Sequence, residues 1–407
     1  MKQCILVSED LKLETDSTDL YINDIKYVLK DNENFKDIAE KQKRDYYRKK
    51  LEKLLLSDNL LLLTGAGTSI GYGGKTMANL WSKAELIKYT VVTEEINFTK
   101  FCEAIDFDIT NKDLEALLSE AEINIKSSKQ LPIWFSEFKT KIEAMIKTEC
   151  SFDLTNFENH LLLLQKLTQR KVSKSRLKIY NLNYDLSFEQ AAQNGGFTII
   201  DGFSFTQPRV FNGRYYDYDI VRRENSRISA EENYVDNVFH LYKPHGSVNW
   251  CKSGSDIIQR NKEELFHAVM IYPNATKFEH SYEQPFFEVM SRLQIELRKT
   301  SSTTLIISGF SLADKHIMTM VREAIRQNSS LNVIIVNRSI QYTEVEKEKE
   351  WSFYRDLARL SPHVTLVAEE FANFVKNIPH NNSKKPEEAF LEKLEQLISS
   401  GNDNAQN

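Results

Sequence analysis

Apolar residues in this chain gather into short runs that each stop at a small or polar residue. The runs at Leu60–Leu63, Leu177–Leu182, Phe197–Ile200, Phe239–Tyr242, Thr303–Ile307, Val333–Val336 and Val364–Val367 predict the strands of an α/β protein. Four of the stops spell TGAGTS, NLNYD, KPHGS and SGFSLAD. Strand ends facing one way are where such a fold builds its ligand site, so these signals are expected to converge on one crevice.

Helical spacing fills the rest. Ile38, Tyr46, Tyr47, Leu51, Leu54 and Leu55 recur among Lys, Arg and Glu, which predicts a helix over Phe35–Leu56 covering one sheet face. Between the first strand and Leu177 the chain is far too long for an ordinary βα connection, so a folded insertion is expected at about 76–172. Trp81–Tyr89, Thr99–Ile105, Lys112–Ile125, Leu131–Lys147 and Asn156–Gln169 carry helical periodicity, and Asn111–Glu115 resembles a helix start with acid in its first turn. Residues 1–45 are polar, with one amphipathic segment at Leu20–Leu29, and read as an arm or contact segment ahead of a main domain over 46–376. In 201–237, Phe203, Phe205, Phe211, Tyr215, Tyr216 and Tyr218 alternate with arginines, as in a lid or in a long loop packed on the body. Residues 377–407 read as a polar tail with a short helix at Glu387–Ile398.

Composition narrows the function classes. At 407 residues and 41% hydrophobic content the chain can bury a large core, and no run approaches the roughly 18 apolar residues needed to span a bilayer. With no leader-like start, a cytoplasmic protein away from membranes is expected. A net charge of −5 gives no global attraction to a polyanion, so no direct nucleic-acid binding is expected. Cys4, Cys102, Cys150 and Cys251 lie far apart without a CxxC pair, so no metal site is expected.

In LLLLTGAGTSIG, a leucine strand feeds Gly65, Ala66 and Gly67, with Thr68 and Ser69 placed to cap a following helix. Free amides at such a turn, with a helix dipole behind them, favour a phosphate or pyrophosphate; the bland alternative is a tight βα turn. The dinucleotide fingerprint of dehydrogenases wants a third glycine where Ile70 stands, and the sequence offers no convincing acidic ribose ligand about 20 positions on. A phosphate-binding Walker loop is excluded too, because Lys75-Thr76 falls at the wrong spacing. Asn183 and Asp185 end a strand and suit ribose hydroxyls, or else cap their own turn. His245, braced between Pro244 and Gly246, could take a proton at neutral pH, or simply satisfy a local hydrogen bond. Gly309 and Ser311 follow another strand, with Asp314 capping the next helix, and Asn337 follows the next; small residues there admit a long cofactor.

Taken in order, GAGTS, NLNYD, KPHGS, GFSLAD and VNR resemble the sirtuin (silent information regulator two) family of NAD-dependent enzymes. The resemblance implies a Rossmann-like parallel sheet flanked by helices that binds NAD+ as substrate and breaks its nicotinamide–ribose bond. It implies His245 as general base, Asn183 and Asp185 organising ribose and water, and Gly65, Ala66, Gly67, Thr68, Ser69, Gly309, Ser311 and Asn337 lining the cofactor. The two CxxC pairs of the deacylase zinc module are missing, so no zinc is expected. The large insertion, and GYGGKTMANLW after the glycine turn, are similar instead to the bacterial antiphage branch that hydrolyses NAD+. The chain ends too early for an appended cyclic-nucleotide sensor and has no Argonaute-like portion. Its layout is similar to the NADase subunit that assembles with a HerA-type hexameric ATPase, which implies a homo-oligomer with that partner. Three readings follow: an NAD+ hydrolase, a zinc-less protein deacylase, or a non-enzymatic sensor of NAD+ or ADP-ribose.

Overall fold

The computed structural model describes residues 2–379 apart from 17, 31, 128–129, 223–233, 262–263, 265–266, 271–283, 313 and 342–344. At its centre is an eleven-stranded sheet. Across it lie, in order, the parallel strands Val364–Val367, Leu331–Val336, Thr303–Ser308, Asn59–Thr64, Leu177–Asn181, Val238–Tyr242 and Thr198–Ile200. Asn59–Thr64 and Thr303–Ser308 are buried at every position. Leu61, Leu63, Leu305 and Ile307 enter one core, beneath helices Phe286–Leu297, Lys315–Gln327 and Val345–Leu360. Leu60, Leu62 and Ile306 enter the other, beneath Phe35–Tyr46, Glu158–Thr168, Ser187–Gly195 and Phe371–Asn377. Covered on both faces, these strands have no solvent side to alternate toward, which is why they read as unbroken apolar runs.

Strand order reverses at the middle. From Asn59–Thr64 the chain moves toward Leu177–Asn181 on one side, whereas from Thr303–Ser308 it moves toward Leu331–Val336 on the other. The two neighbours therefore form a topological switch point, where their outgoing turns part and leave a crevice at the carboxyl ends.

The amino-terminal residues differ from the expected arm. Gln3–Val7 pairs antiparallel with Val364–Val367, and Lys12–Thr15, Leu20–Ile22 and Ile25–Lys26 continue the sheet beyond it. The amphipathic segment Leu20–Leu29 thus begins as two short paired strands, Leu20–Ile22 and Ile25–Lys26. Asn23 and Asp24, at φ 50° and 68°, form a two-residue hairpin loop with both residues left-handed, the turn that matches the twist of paired strands. Leu6, Val7, Leu13 and Leu20 are buried, which ties this segment to the body.

Within the inserted region, helices Met77–Ala84, Phe98–Glu103, Leu114–Lys126 and Phe135–Cys150 share a core of their own. The helix expected over Trp81–Tyr89 stops at Ala84, and the β-branched run Thr90–Thr93 folds with its flanks into a hairpin, Lys88–Val91 against Glu94–Asn97. Glu158–Thr168 instead packs on the sheet through Leu163, Leu164 and Leu167. The inserted core also takes in Tyr184 and Val248, one beside each candidate site loop, so the layer is seated over the crevice. In the aromatic stretch, Phe203 and Tyr216 are buried and Tyr216 stacks on Tyr242 at 4.2 Å. The helix predicted at Glu387–Ile398 lies outside the described residues.

Phe101 is fully buried and stacks on Phe135 and Phe138 at 4.5 and 5.0 Å. Phe101→Ala is expected to destabilise the inserted layer by about 3–5 kcal/mol, read as an earlier urea midpoint.

Candidate functional site

The glycine turn is built differently from the helix-capped loop that TGAGTS suggested. Ala66–Thr68 and Ile70–Tyr72 are short 3-10 turns, and the next α-helix starts only at Met77, capped by Thr76. The glycines at 71, 73 and 74 interrupt the chain between them, Gly73 at φ 120°. Thr68 Oγ1 donates to Gly65 O at 2.9 Å and Ser69 Oγ to Ala66 O at 3.3 Å, so both hydroxyls brace the turn itself. The amides of Gly65, Gly67, Thr68 and Ser69 donate to Ser308, Gly309, Gly65 and Ala66 carbonyls. With these four amides engaged within the fold and no α-helix starting directly behind the turn, neither the free amides nor the helix dipole expected from TGAGTS stands there to favour an anion.

What the glycines provide is contact between two backbones. A Cβ on Gly67 would stand 2.6 Å from Gly309 Cα, and one on Gly65 would stand 2.9 Å from Phe310 Cα. Gly309, at φ 63°, would carry its own Cβ to 2.6 Å from the Thr68 nitrogen. The turns after Thr64 and Ser308 therefore lie one upon the other at the switch point, and only glycine permits it.

Asn183 joins them. Its Nδ2 donates to Gly65 O at 3.1 Å and to Ser69 Oγ at 3.2 Å. Beneath it the buried Asn181 accepts from Thr64 Oγ1 at 3.0 Å and from the Asn183 amide at 3.2 Å. Asp185 is buried, and its Oδ1 accepts from the Ser187 amide and hydroxyl at 3.0 and 2.5 Å. It holds the start of helix Ser187–Gly195, the turn-capping alternative of its two expected roles. Lys243 is buried close by; its Nζ donates to Tyr184 O, Asp185 O, Glu189 and Ser247, fastening the NLNYD loop to the histidine turn.

His245 sits in the turn between strands Val238–Tyr242 and Gly246–Ser253, with Gly246 at φ 85°. Its Nε2 donates to Asp314 Oδ2 at 3.0 Å, and its Nδ1 lies 4.0 Å from Glu115 Oε1 of the inserted helix Leu114–Lys126. Burial disfavours the charged imidazole, but the bond to Asp314 and the charge of Glu115 outweigh it and hold the pKa above its ordinary value. Asp314, despite burial, is held below the usual carboxylate range by His245 and by the amide of Ile317, whereas burial pushes Glu115 up. Asp314 Oδ1 meanwhile caps helix Lys315–Gln327, accepting from the His316 and Ile317 amides. The expected cap is there, and the same carboxylate turns its other oxygen to the imidazole.

Ser311 is exposed beside these turns. Asn337 supports them from behind, donating to Phe310 O at 2.7 Å while its Oδ1 accepts from the Ser339 amide. A cavity of about 450 Å³ opens beyond it, lined by Arg338, Gln341, Ala368 and Glu369 at the ends of the last two parallel strands. Helix Phe371–Asn377, on the same wall, also packs against Ala66–Thr68. His245 itself is 6% exposed. Sequence reasoning missed Glu115 and Lys243: one looked like an ordinary first-turn acid, the other like part of a strand end.

Residues 177–355 match a family model described as a SIR2-like domain. That span holds Asn183, Asp185, His245, Gly309, Ser311, Asp314 and Asn337 but not the glycine turn at 65–69. Among solved structures, one described as "Structural Basis for the Mechanism and Regulation of Sir2 Enzymes" is 13% identical over 82% of this chain and 95% of that one, at a TM-score of 0.40. A crystal structure of a Sir2 homologue–NAD complex is 14% identical over 81% and 91%, at a TM-score of 0.37. Likenesses this distant assign no residue roles. No curated protein matches the chain. No described helix is long and apolar enough to cross a membrane, and no group of three or more potential metal ligands occurs among the described residues.

Gly309→Ala is expected to cost about 2 kcal/mol or more, since it meets both a left-handed backbone and the chain of Thr68. A melting curve should show the loss; an unchanged midpoint would mean that the two turns do not need their close approach.

Proposed function

We propose that this protein hydrolyses NAD+ at the nicotinamide–ribose bond, giving nicotinamide and ADP-ribose. The observation that carries the reading is a buried histidine hydrogen-bonded to Asp314, beside two interlocked glycine turns at the switch point of a parallel sheet. The SIR2-like match over 177–355 supports the substrate class. The dinucleotide would lie along the turns at Gly65–Ser69 and Gly309–Ser311, with its adenosine end toward the cavity beyond Asn337. His245 would then deprotonate water or a ribose hydroxyl as nicotinamide leaves, and Asn183 would hold the ribose. Confinement and charge placement would supply most of the rate.

The biological reading is an antiphage effector that depletes NAD+, acting as a homo-oligomer with a HerA-type hexameric ATPase. The burial of His245 accords with a site held closed until assembly opens it. Protein deacylation is disfavoured by the lack of any CxxC pair, the usual start of a zinc module.

Purified protein assembled with a HerA-type ATPase should release nicotinamide from NAD+ without an acyl-lysine peptide, and faster than the protein alone, as followed by HPLC. His245→Ala should lower the rate by about 10²–10⁴-fold with the fold retained. Release that depends on the peptide would replace hydrolysis by deacylation, and tight binding with no release would replace it by sensing.

A further inference from the structure

Two carboxylates from different layers of the protein flank the His245 imidazole. Asp314, on the Rossmann-like body, takes Nε2 at 3.0 Å; Glu115, on the inserted helix, faces Nδ1 at 4.0 Å. Asp314 is fixed by the two amides it caps. Glu115 is fixed by the Tyr184 hydroxyl, which donates to its Oε1 at 3.3 Å, and by the cap that Asp113 places on the same helix through the Ala116 amide. The remaining charges nearby are directed elsewhere. Lys243 Nζ is turned to Ser247, Glu189 and two carbonyls, and the charge of His316 bears on Asp314.

We propose that Asp314 and Glu115 are positioning residues for His245: Asp314 fixes the tautomer so that Nδ1 is the proton-accepting atom, and Glu115 makes the inserted layer control whether that atom already holds a proton. An ionised carboxylate acts differently on the two sides of the ring. A carboxylate on Nε2 demands the N–H there, which leaves Nδ1 the lone pair. A second carboxylate facing Nδ1 favours the doubly protonated ring, in which no lone pair is left to act as a base. Removing the charge of Glu115 while the ring stays buried would lower the proton affinity of His245 and arm it. The inserted layer thus acts on the chemistry itself, beyond covering the site.

The kinetic side of this inference rests on NAD+ hydrolysis; the titration side does not. Ring-labelled protein, with the His245 signal assigned through His245→Gln, would be titrated by NMR as wild type, Glu115→Gln and Asp314→Asn. Asn is itself a good helix cap, so Asp314→Asn should keep its fold, and Glu115→Gln tests the inserted layer independently. Each substitution should lower the His245 midpoint by about one pH unit. In turnover, the acid limb of the kcat profile should move to lower pH in Glu115→Gln and return in Glu115→Asp. An unmoved midpoint in Glu115→Gln overturns the role of the inserted layer, and one in Asp314→Asn overturns the orienting role. If no form cleaves NAD+, the proposed activity fails while the midpoints still decide the two carboxylates.

Discussion

The site depends on a single constraint, the contact of one glycine turn with another at the point where the sheet reverses its strand order. Thr303–Ser308 and Asn59–Thr64 run in register as neighbours, so their turns emerge side by side. Side chains at positions 65, 67 and 309 would drive those turns apart. Asn183 then reaches across to Gly65 O, Asn337 props Phe310 O, and Asp314 follows within the same turn to meet His245. Each polar group at the crevice is thereby placed relative to one backbone junction.

Burial decides how those polar groups behave. His245, Asp314 and Glu115 are drawn from three separate stretches of chain, yet together they form a largely enclosed acid–base cluster. For His245 burial alone would favour the neutral ring, and only the two carboxylates reverse the sign. His160 shows the other outcome. It too is fully buried, but amid Tyr72, Phe188 and Phe371, and its pKa falls to about 4. The same side chain is a charge holder in one place and a neutral core residue in the other, according to what surrounds it.

The central strands were legible because they are covered on both faces, so apolar residues run unbroken and stop sharply at Gly65, Asn183 and Gly309. His245 was legible for a related reason: Pro244 and Gly246 mark a turn. The amino-terminal hairpins were not, since Leu20–Ile25 mixes polar and apolar residues at a spacing that suits either period; the cue was the Asn23-Asp24 pair between two isoleucine-ended strands. Nor was the 3-10 character of the glycine turn, which depends on the close approach of Gly309 from far along the chain. Glu115 could be placed on a helix but not opposite an imidazole, because nothing local encodes how the inserted layer docks.

The central claim is that these turns cradle a dinucleotide with its anomeric carbon beside His245. A crystal structure of the His245→Ala variant soaked with NAD+ addresses it directly. The account predicts a dinucleotide along Gly65–Ser69 and Gly309–Ser311, its C1′ within about 3–3.5 Å of the space that the imidazole or its activated water would occupy. A dinucleotide bound elsewhere, such as the separate cavity beside Arg209 and Gln259, with the glycine turns unchanged and bare, would contradict it.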